Sequence, residues 1–231
     1  MLPLRARYLL ILVGKPFTGR SDALRYLEMA KGFHGYALER ILSRHLELPG
    51  SPQPQGRALR RVAAEARQGC RDNGVVARWL LNDIRRRHLE RTETWRPPPR
   101  IVITGLNHPA ELDVLTAFSR SAVFRIQLED EVRCERAVAS GLLPREHGIV
   151  RVKGVTTRRF VAAVDDTSRD GDPSHVDRPD DLMQAAACTS RKRGSAVIAA
   201  AQYRDSGLTP VLKKLDDFVD TLEKTFPSSQ F

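Results

Sequence analysis

The sequence has few cysteines, no long apolar run and, in its first hundred residues, few acidic side chains. Its three cysteines, Cys70, Cys134 and Cys188, lie far apart in a chain of 231 residues. That spacing excludes a disulfide-stapled scaffold and matches no zinc-binding pattern. We therefore expect a reduced, cytoplasmic protein without structural zinc.

The apolar runs are too short for a membrane protein. A membrane-spanning helix needs about 20 apolar residues, and the run near the N-terminus extends only from Tyr8 to Val13. The residues after it, Gly14 to Phe17, offer no small-residue cleavage site of the kind that follows a secretory leader. We expect neither a membrane segment nor a leader, and the chain is long enough for one large domain with a substantial core.

The shortage of acidic residues is confined to one half of the chain. Residues 1–100 carry 20 lysines and arginines against 9 acidic residues, whereas the remainder carries 18 against 19, for a formal net charge of +10. A basic N-terminal half indicates an anionic partner: a nucleotide, nucleic acid or an acidic protein surface. The alternative interpretation is an arginine-rich composition without a specific partner, because net charge governs non-specific binding rather than fold.

What the sequence does contain is a strand pattern followed by a glycine-bounded loop. The apolar run Tyr8 to Val13 is typical of a strand that is buried on both faces of a parallel sheet. The loop GKPFTGRS, residues 14–21, comes next, and a helical pattern follows it. This is the spacing of the phosphate-binding motif G-x-x-x-x-G-K-[ST], with Arg20 in the place of the lysine. The alternative is an ordinary strand-to-helix turn.

Each residue type in such a loop has a physical task. Gly14 and Gly19 let backbone N–H groups curl around phosphate oxygens, and the helix N-terminus adds partial positive charge. Ser21 supplies a hydroxyl for Mg²⁺. Arg20 keeps the positive charge of the lysine but not its shape, because guanidinium is a planar fork and ammonium a compact point charge. Lys15, early in the loop, is a candidate to supply the ammonium charge that the motif's lysine would provide.

Strand and helix patterns alternate along the chain and predict an α/β fold with a parallel sheet covered on both faces. Further buried strands are predicted at 100–105, 122–128 and 196–199. Ligands of such folds bind at the carboxyl ends of the strands. The loop 14–21 lies at one such end, and residues 104–109 lie at another.

Taken in order, the segments resemble the P-loop nucleoside monophosphate kinase superfamily, and within it the branch of dephospho-CoA kinase and related nucleotide kinases. Four stretches carry the resemblance: GKPFTGRSDALRYLEMAKGFHGYALERIL, RALRRVAAEARQGCRDNGVVARWLLNDI, IVITGLNHPAELDVL and VFRIQLEDEVRCERAVASG. The resemblance implies a three-layer α/β sandwich with a parallel sheet, a helical acceptor-binding insert and a lid.

The resemblance also implies how this single domain is divided. The core would comprise residues 1–36, 100–140 and 190–231, the helical acceptor-binding region residues 37–99, and the lid with its following loop residues 141–189. The implied cofactors are ATP and Mg²⁺, with transfer of the γ-phosphoryl group to a nucleotide-like acceptor.

The resemblance assigns a set of candidate nucleotide-binding residues, with Ser21 as the magnesium ligand: Gly14, Lys15, Gly19, Arg20, Ser21, Asp22, Arg133 and Arg136. The last two match an R-x-x-R motif of the family. The alternative interpretation of these two arginines is that they are exposed cations on a helix with acidic neighbours.

Two departures from the family pattern fall at its catalytic positions. Arg20 replaces the catalytic lysine, and Thr104 replaces an aspartate that follows the second buried strand. Because phosphoryl transfer is catalysed by positioning and electrostatics, these replacements predict a nucleotide-binding protein whose catalysis is weakened or lost. The alternative is a non-catalytic scaffold or sensor whose basic N-terminal half binds nucleic acid or an acidic protein.

Overall fold

The computed structural model describes residues 6–45, 57–89, 100–106, 108–117, 120–139, 196–203 and 209–227. The strands in these ranges are β1 (Tyr8–Val13), β2 (His34–Ala37), β3 (Arg100–Thr104), β4 (Ser121–Leu128) and β5 (Ala196–Tyr203). The helices are α1 (Arg20–Lys31), α2 (Leu38–His45), α3 (Arg57–Cys70), α4 (Val75–Leu89), α5 (Pro109–Thr116), α6 (Asp130–Ala139) and α7 (Thr209–Thr225).

The described strands form one parallel sheet in the order β2-β3-β1-β4-β5, with β1 at its centre. Leu12 of β1 pairs with Thr104, the last residue of β3, and Val13 pairs with Arg125 of β4. The segments that follow β1 and β3 therefore leave the sheet side by side. β4 continues for three residues beyond that register, so its end flanks the segment after β1.

Both faces of the sheet are covered, because successive side chains of a strand point to opposite sides. Leu9 and Ile11 of β1 belong to an apolar core that packs against helices α2, α3, α4 and α5. Leu10 and Leu12 belong to a second core, on the other face, that packs against α1, α6 and α7. The predicted three-layer α/β architecture with a parallel sheet is confirmed.

The element boundaries follow local chemistry where the sequence carries a strong signal. Gly32 ends α1 in the left-handed region, with φ of +65°, and its N–H donates to the Leu27 carbonyl, as the glycine at this position predicts. α5 begins at Pro109 behind a capping box made by His108 and Glu111. β5 is longer than predicted because its pairing with β4 continues to Tyr203.

The predicted lid, residues 141–189, lies outside the described residues, and the division of the chain into core, insert and lid stays a prediction. Within the described ranges, none of the helices combines the length and the apolar character that crossing a membrane requires.

Candidate functional site at the carboxyl edge of the sheet

The segment between β1 and α1 is a tight loop held against the end of β4. A Cβ atom on Gly14 would lie 2.5 Å from the Ile126 carbonyl oxygen of β4 and 2.7 Å from the Thr18 Oγ1, so only glycine fits there without a shift. Thr18 is almost completely buried, and its hydroxyl donates to the Lys15 carbonyl at 2.8 Å. The loop is therefore closed on itself and fixed to the sheet.

The backbone of this loop turns twice into the left-handed region. Phe17 has φ of +64°, which is uncommon for a residue other than glycine, and Gly19 has φ of +93°. Where left-handed residues alternate with ordinary ones, neighbouring N–H groups turn toward one side and form a concave anion-binding nest. Phe17 and Gly19, with Thr18 between them, show the positive φ angles that occur in such nests.

α1 begins directly after this loop without a capping side chain. Its N-cap residue is Gly19, which makes no side-chain hydrogen bond to the first turn. The first N–H groups of a helix have no partner within the helix, and an anion placed there is stabilised by them and by the helix dipole. The start of α1 therefore adds a second set of backbone donors to the loop.

The predicted side chains lie around the loop and the first turn of α1. Arg20 is half-buried, whereas Ser21 and Asp22 are exposed, as the first three residues of the helix. The Lys15 ammonium lies 4.0 Å from a carboxylate oxygen of Asp130, at the start of α6. The structure thus brings the predicted loop residues together, with Lys15 directed toward α6.

Of the two arginines of the R-x-x-R motif, Arg133 lies under the loop. It is completely buried, its Nε donates to the Pro16 carbonyl at 2.9 Å, and its Nη1 lies 2.6 Å from Asp130 Oδ1. The alternative that Arg133 is an exposed helix cation is therefore wrong. Arg136 follows one turn later and is half-buried.

Thr104 stands where the family resemblance implies an aspartate, and the carboxylate of another residue, Glu39, lies beside it in the structure. Thr104 is nearly buried at the end of β3, and Gly105 follows it with φ of +87°. A Cβ atom on Gly105 would overlap the Glu39 carboxylate, so this carboxylate lies directly against the turn after β3. Glu39 belongs to the first turn of α2, which starts where β2 ends.

Glu39 is a candidate functional residue that the sequence interpretation did not single out. The signal that would have found it is its place two residues after the end of β2. Ala37 at that end pairs with Thr104 in the sheet, so a side chain at the start of α2 can reach the end of β3. Without the pairing of β2 and β3, that proximity is invisible in the sequence.

The described residues of the site form no preformed protein cage for a metal ion. No group of three or more histidine, cysteine, aspartate or glutamate side chains in the described part of the chain is placed to hold one. Mg²⁺ in nucleotide sites takes one or two protein oxygens and completes its shell with phosphate oxygens and water. Ser21, exposed beside Asp22 in the first turn of α1, offers one hydroxyl oxygen for that mode of binding.

No protein-family model and no curated protein matches this sequence. Solved structures are similar over nearly all of it. TT1252 from Thermus thermophilus has 15% identity and a TM-score of 0.47, with 94% of this chain and 98% of that chain covered. Shikimate kinase from Acinetobacter baumannii in complex with shikimate has 13% identity and a TM-score of 0.46, with 96% and 94% covered.

A sugar kinase from Janibacter sp. HTCC2649 has 11% identity and a TM-score of 0.38, with 93% of this chain and 95% of that chain covered. Similarity at this distance carries no argument about what this chain does. The class follows from the chain itself: a parallel α/β sheet with a glycine-bounded loop between its central strand and a helix. The chain has a three-layer α/β fold with a parallel sheet.

Proposed function

We propose that the protein binds a magnesium–ATP complex at the loop 14–21. The observation that carries the proposal is the backbone of that loop. Its left-handed turns at Phe17 and Gly19 run into the N-terminus of α1, where no side chain caps the helix. The N–H groups of the loop and those of the first turn of α1 are therefore adjacent. A polyphosphate can accept hydrogen bonds from both sets.

The side chains around the loop complete a site of this kind. The Ser21 hydroxyl would ligate Mg²⁺, and Arg20 would neutralise phosphate oxygens from the first turn of α1. Lys15 would add a second positive charge by leaving Asp130, because a 4.0 Å ion pair with both partners more than one-third exposed is weak. Bound magnesium would supply further neutralisation of the phosphate charge.

We propose further that transfer of the γ-phosphoryl group to a nucleotide-like acceptor is slow or absent. The guanidinium fork of Arg20 differs in shape from the ammonium of the family's lysine. Thr104 offers a hydroxyl where the family has a carboxylate. Glu39 is the carboxylate that the structure places against the neighbouring Gly105, so the site retains an acid from another element. The acceptor would lie beside Glu39, against the helical insert.

Calorimetric titration of ATP into the protein, with and without Mg²⁺, tests the proposal. We expect binding that strengthens when Mg²⁺ is present. Arg20→Ala and Lys15→Ala should each weaken it, because each removes one phosphate-neutralising charge. Absence of ATP binding in both conditions would refute the proposed function. If Arg20→Ala abolished ATP binding and Lys15→Ala left the affinity unchanged, Lys15 would be excluded as a phosphate-binding residue. The rest of the proposed site would stand.

A second candidate function rests on a cluster of arginines in the helical insert. The Asp83 carboxylate of α4 forms ion pairs with three guanidinium groups, with N···O distances of 3.0 Å to Arg44, 3.2 Å to Arg86 and 3.0 Å to Arg87. Three cations around one carboxylate leave an excess of positive charge on this surface. This favours the alternative of a scaffold or sensor that binds a polyanion through its basic N-terminal half.

Salt dependence separates the two candidates. Binding to a nucleic-acid backbone weakens steeply as salt is added, with a slope that counts the phosphate contacts. ATP in a partly buried loop should lose less affinity, because screening acts least on buried pairs. A polyanion complex that persists at high salt would contradict the second candidate.

A further inference from the structure

Arg133 is the one arginine among the described residues that is completely buried, and its guanidinium is directed at the backbone of the loop. Arginine is rarely buried unless it is paired and hydrogen-bonded, because removing its charge from water is costly. Here the pair is with Asp130 at 2.6 Å, and the hydrogen bond is to the Pro16 carbonyl at 2.9 Å. The side chain thus joins α6 to the middle of the loop.

The bond to Pro16 fixes the orientation of one peptide group. In a trans peptide the C=O and the following N–H point in opposite directions. When Arg133 holds the Pro16 carbonyl toward α6, the N–H of Phe17 points to the other side of the loop. Phe17 is also the residue with φ of +64°, so this peptide group sets the turn that makes the loop concave.

We propose that Arg133 is a positioning residue of the phosphate-binding loop. It acts through the Pro16 carbonyl and orients the Phe17 N–H toward a bound phosphate, rather than touching the nucleotide itself. Asp130 supplies the counter-charge that allows the guanidinium to be buried, and the same carboxylate oxygen lies 4.0 Å from Lys15. This inference rests on the proposed function for the identity of the ligand, but the orientation of the loop can be tested without any ligand.

The test compares the Arg133→Lys variant with a matched control. Lysine keeps the charge, but its single ammonium cannot reproduce the two directed bonds of the guanidinium. The control is Arg100→Lys. Arg100 is the first residue of β3, so it lies at the end of the sheet opposite to the loop. Arg100 likewise contacts a backbone carbonyl, that of Lys31, and a carboxylate, that of Glu223 at 3.2 Å. A general effect of losing an arginine that bonds both a carbonyl and a carboxylate would therefore appear in both variants. Arg100 matches the bonds of Arg133 but not its burial, because 30% of the Arg100 side chain is exposed.

We expect the backbone amide resonance of Phe17 to move in Arg133→Lys without any ligand, while the amide of Leu215 in α7 stays in place. Mg–ATP affinity should fall about tenfold or more, as expected when a hydrogen bond to a charged group is lost. Arg100→Lys should leave the Phe17 resonance and the affinity unchanged. The proposal would be overturned if the Arg133→Lys variant kept both the Phe17 amide resonance and the Mg–ATP affinity of the wild-type protein.

A measurement on the wild-type protein keeps the proposal testable if Arg133→Lys does not fold. The Nε–H resonance of Arg133 should be slow to exchange with solvent and should keep its chemical shift when Mg–ATP is added. A shift to a new position on binding would show that Arg133 leaves Pro16 for the nucleotide, and would refute the positioning role. If the wild-type protein binds no Mg–ATP, the proposed function fails, whereas the Phe17 resonance still decides the role of Arg133.

Discussion

The guanidinium of Arg67 and the carboxylate of Glu111 lie 3.4 Å apart, with 2% and 1% of their side chains exposed. Arg67 belongs to α3, and Glu111 to the first turn of α5, after β3. The other oxygen of Glu111 accepts the backbone N–H of His108 at 3.2 Å. This buried pair therefore joins α3 to the segment beside the candidate site.

Replacing one partner of this pair should destabilise the protein strongly. We expect Arg67→Met to lower the free energy of unfolding by about 3–5 kcal/mol, because it leaves the Glu111 charge buried without its guanidinium. Urea unfolding followed by circular dichroism measures this. The double variant Arg67→Met with Glu111→Gln should regain more than half of the loss, since the buried charge is gone. A cost below about 1 kcal/mol in the single variant would show that the pair is not buried in solution.

The close packing of Gly14 makes a second prediction. Gly14→Ala should lower the free energy of unfolding by about 1–3 kcal/mol and weaken Mg–ATP binding, because its Cβ would press on the Ile126 carbonyl. Gly69 in α3 is the control, since a Cβ there meets nothing within 4 Å. Gly69→Ala should stabilise the helix by about 0.5–1 kcal/mol. Equal effects of the two substitutions would contradict the observed packing of the loop.

Glu39 should matter for magnesium rather than for stability. We expect Glu39→Gln to reduce the gain in ATP affinity on addition of Mg²⁺ by about tenfold, as for other residues that support a metal site. Calorimetry with and without the metal provides the measurement. Glu65→Gln is the control, because Glu65 is an exposed residue of α3 that pairs only on the surface, with Arg61. If Mg²⁺ increased the ATP affinity equally in the wild-type protein and in Glu39→Gln, Glu39 would have no role in magnesium binding.

The two proposed departures from the kinase pattern, Arg20 and Thr104, can be changed together. We expect Arg20→Lys with Thr104→Asp to raise phosphoryl transfer to acceptors by about a hundredfold, the scale of a single well-placed electrostatic group. Formation of ADP across a set of nucleotide-like acceptors measures the transfer. Because Thr104 is nearly buried, the added carboxylate should also lower the melting temperature. No gain in turnover would argue against a kinase weakened at these two positions.

Tyr8 makes the stability depend on pH in the alkaline range. Burial, and then its hydrogen bond of 2.7 Å to Glu223, raise the pKa of Tyr8 well above its usual value. The unfolded chain releases this proton near pH 10 while the native protein keeps it. The Tyr8 contribution is therefore complete below pH 10, and above it the free energy of unfolding should fall by about 1.4 kcal/mol per pH unit.

Urea unfolding between pH 8 and 11 tests this for the wild-type protein and for Tyr8→Phe. The variant should show a shallower decline above pH 10. Some decline should remain, because a hydrogen bond to Asp216 also raises the pKa of Tyr26. Parallel curves for the two proteins would mean that Tyr8 ionises normally in the folded state.

Much of the fold was predictable because its signals are local. The run Tyr8 to Val13 predicts a buried strand, and Gly32 predicts the end of α1, since each property belongs to a few adjacent residues. The loop 14–21 was selected as a candidate site in the same way, from its glycine spacing. The end of β5 was missed because it depends on pairing with β4 rather than on composition.

The roles of individual site residues were less predictable. Arg133 matches a motif for contacting nucleotide, yet its guanidinium is buried against Pro16, and only the packing of α6 on the loop decides that. Glu39 was not identified, because its carboxylate reaches Gly105 only when β2 and β3 lie side by side. Both contacts join residues that are far apart in the chain, so no local pattern reports them.

Local patterns in the amino-acid sequence were enough to predict the order of strands and helices, the position and glycine spacing of the loop, and the departures at Arg20 and Thr104. Periodicity and turn chemistry act over a few residues and need no partner elsewhere. The packing of distant elements was needed to bring Arg133 against the loop and Glu39 against Gly105, the residue after Thr104. Those placements result from the parallel strand order and from the packing of helices on the sheet, which bring distant residues to one edge.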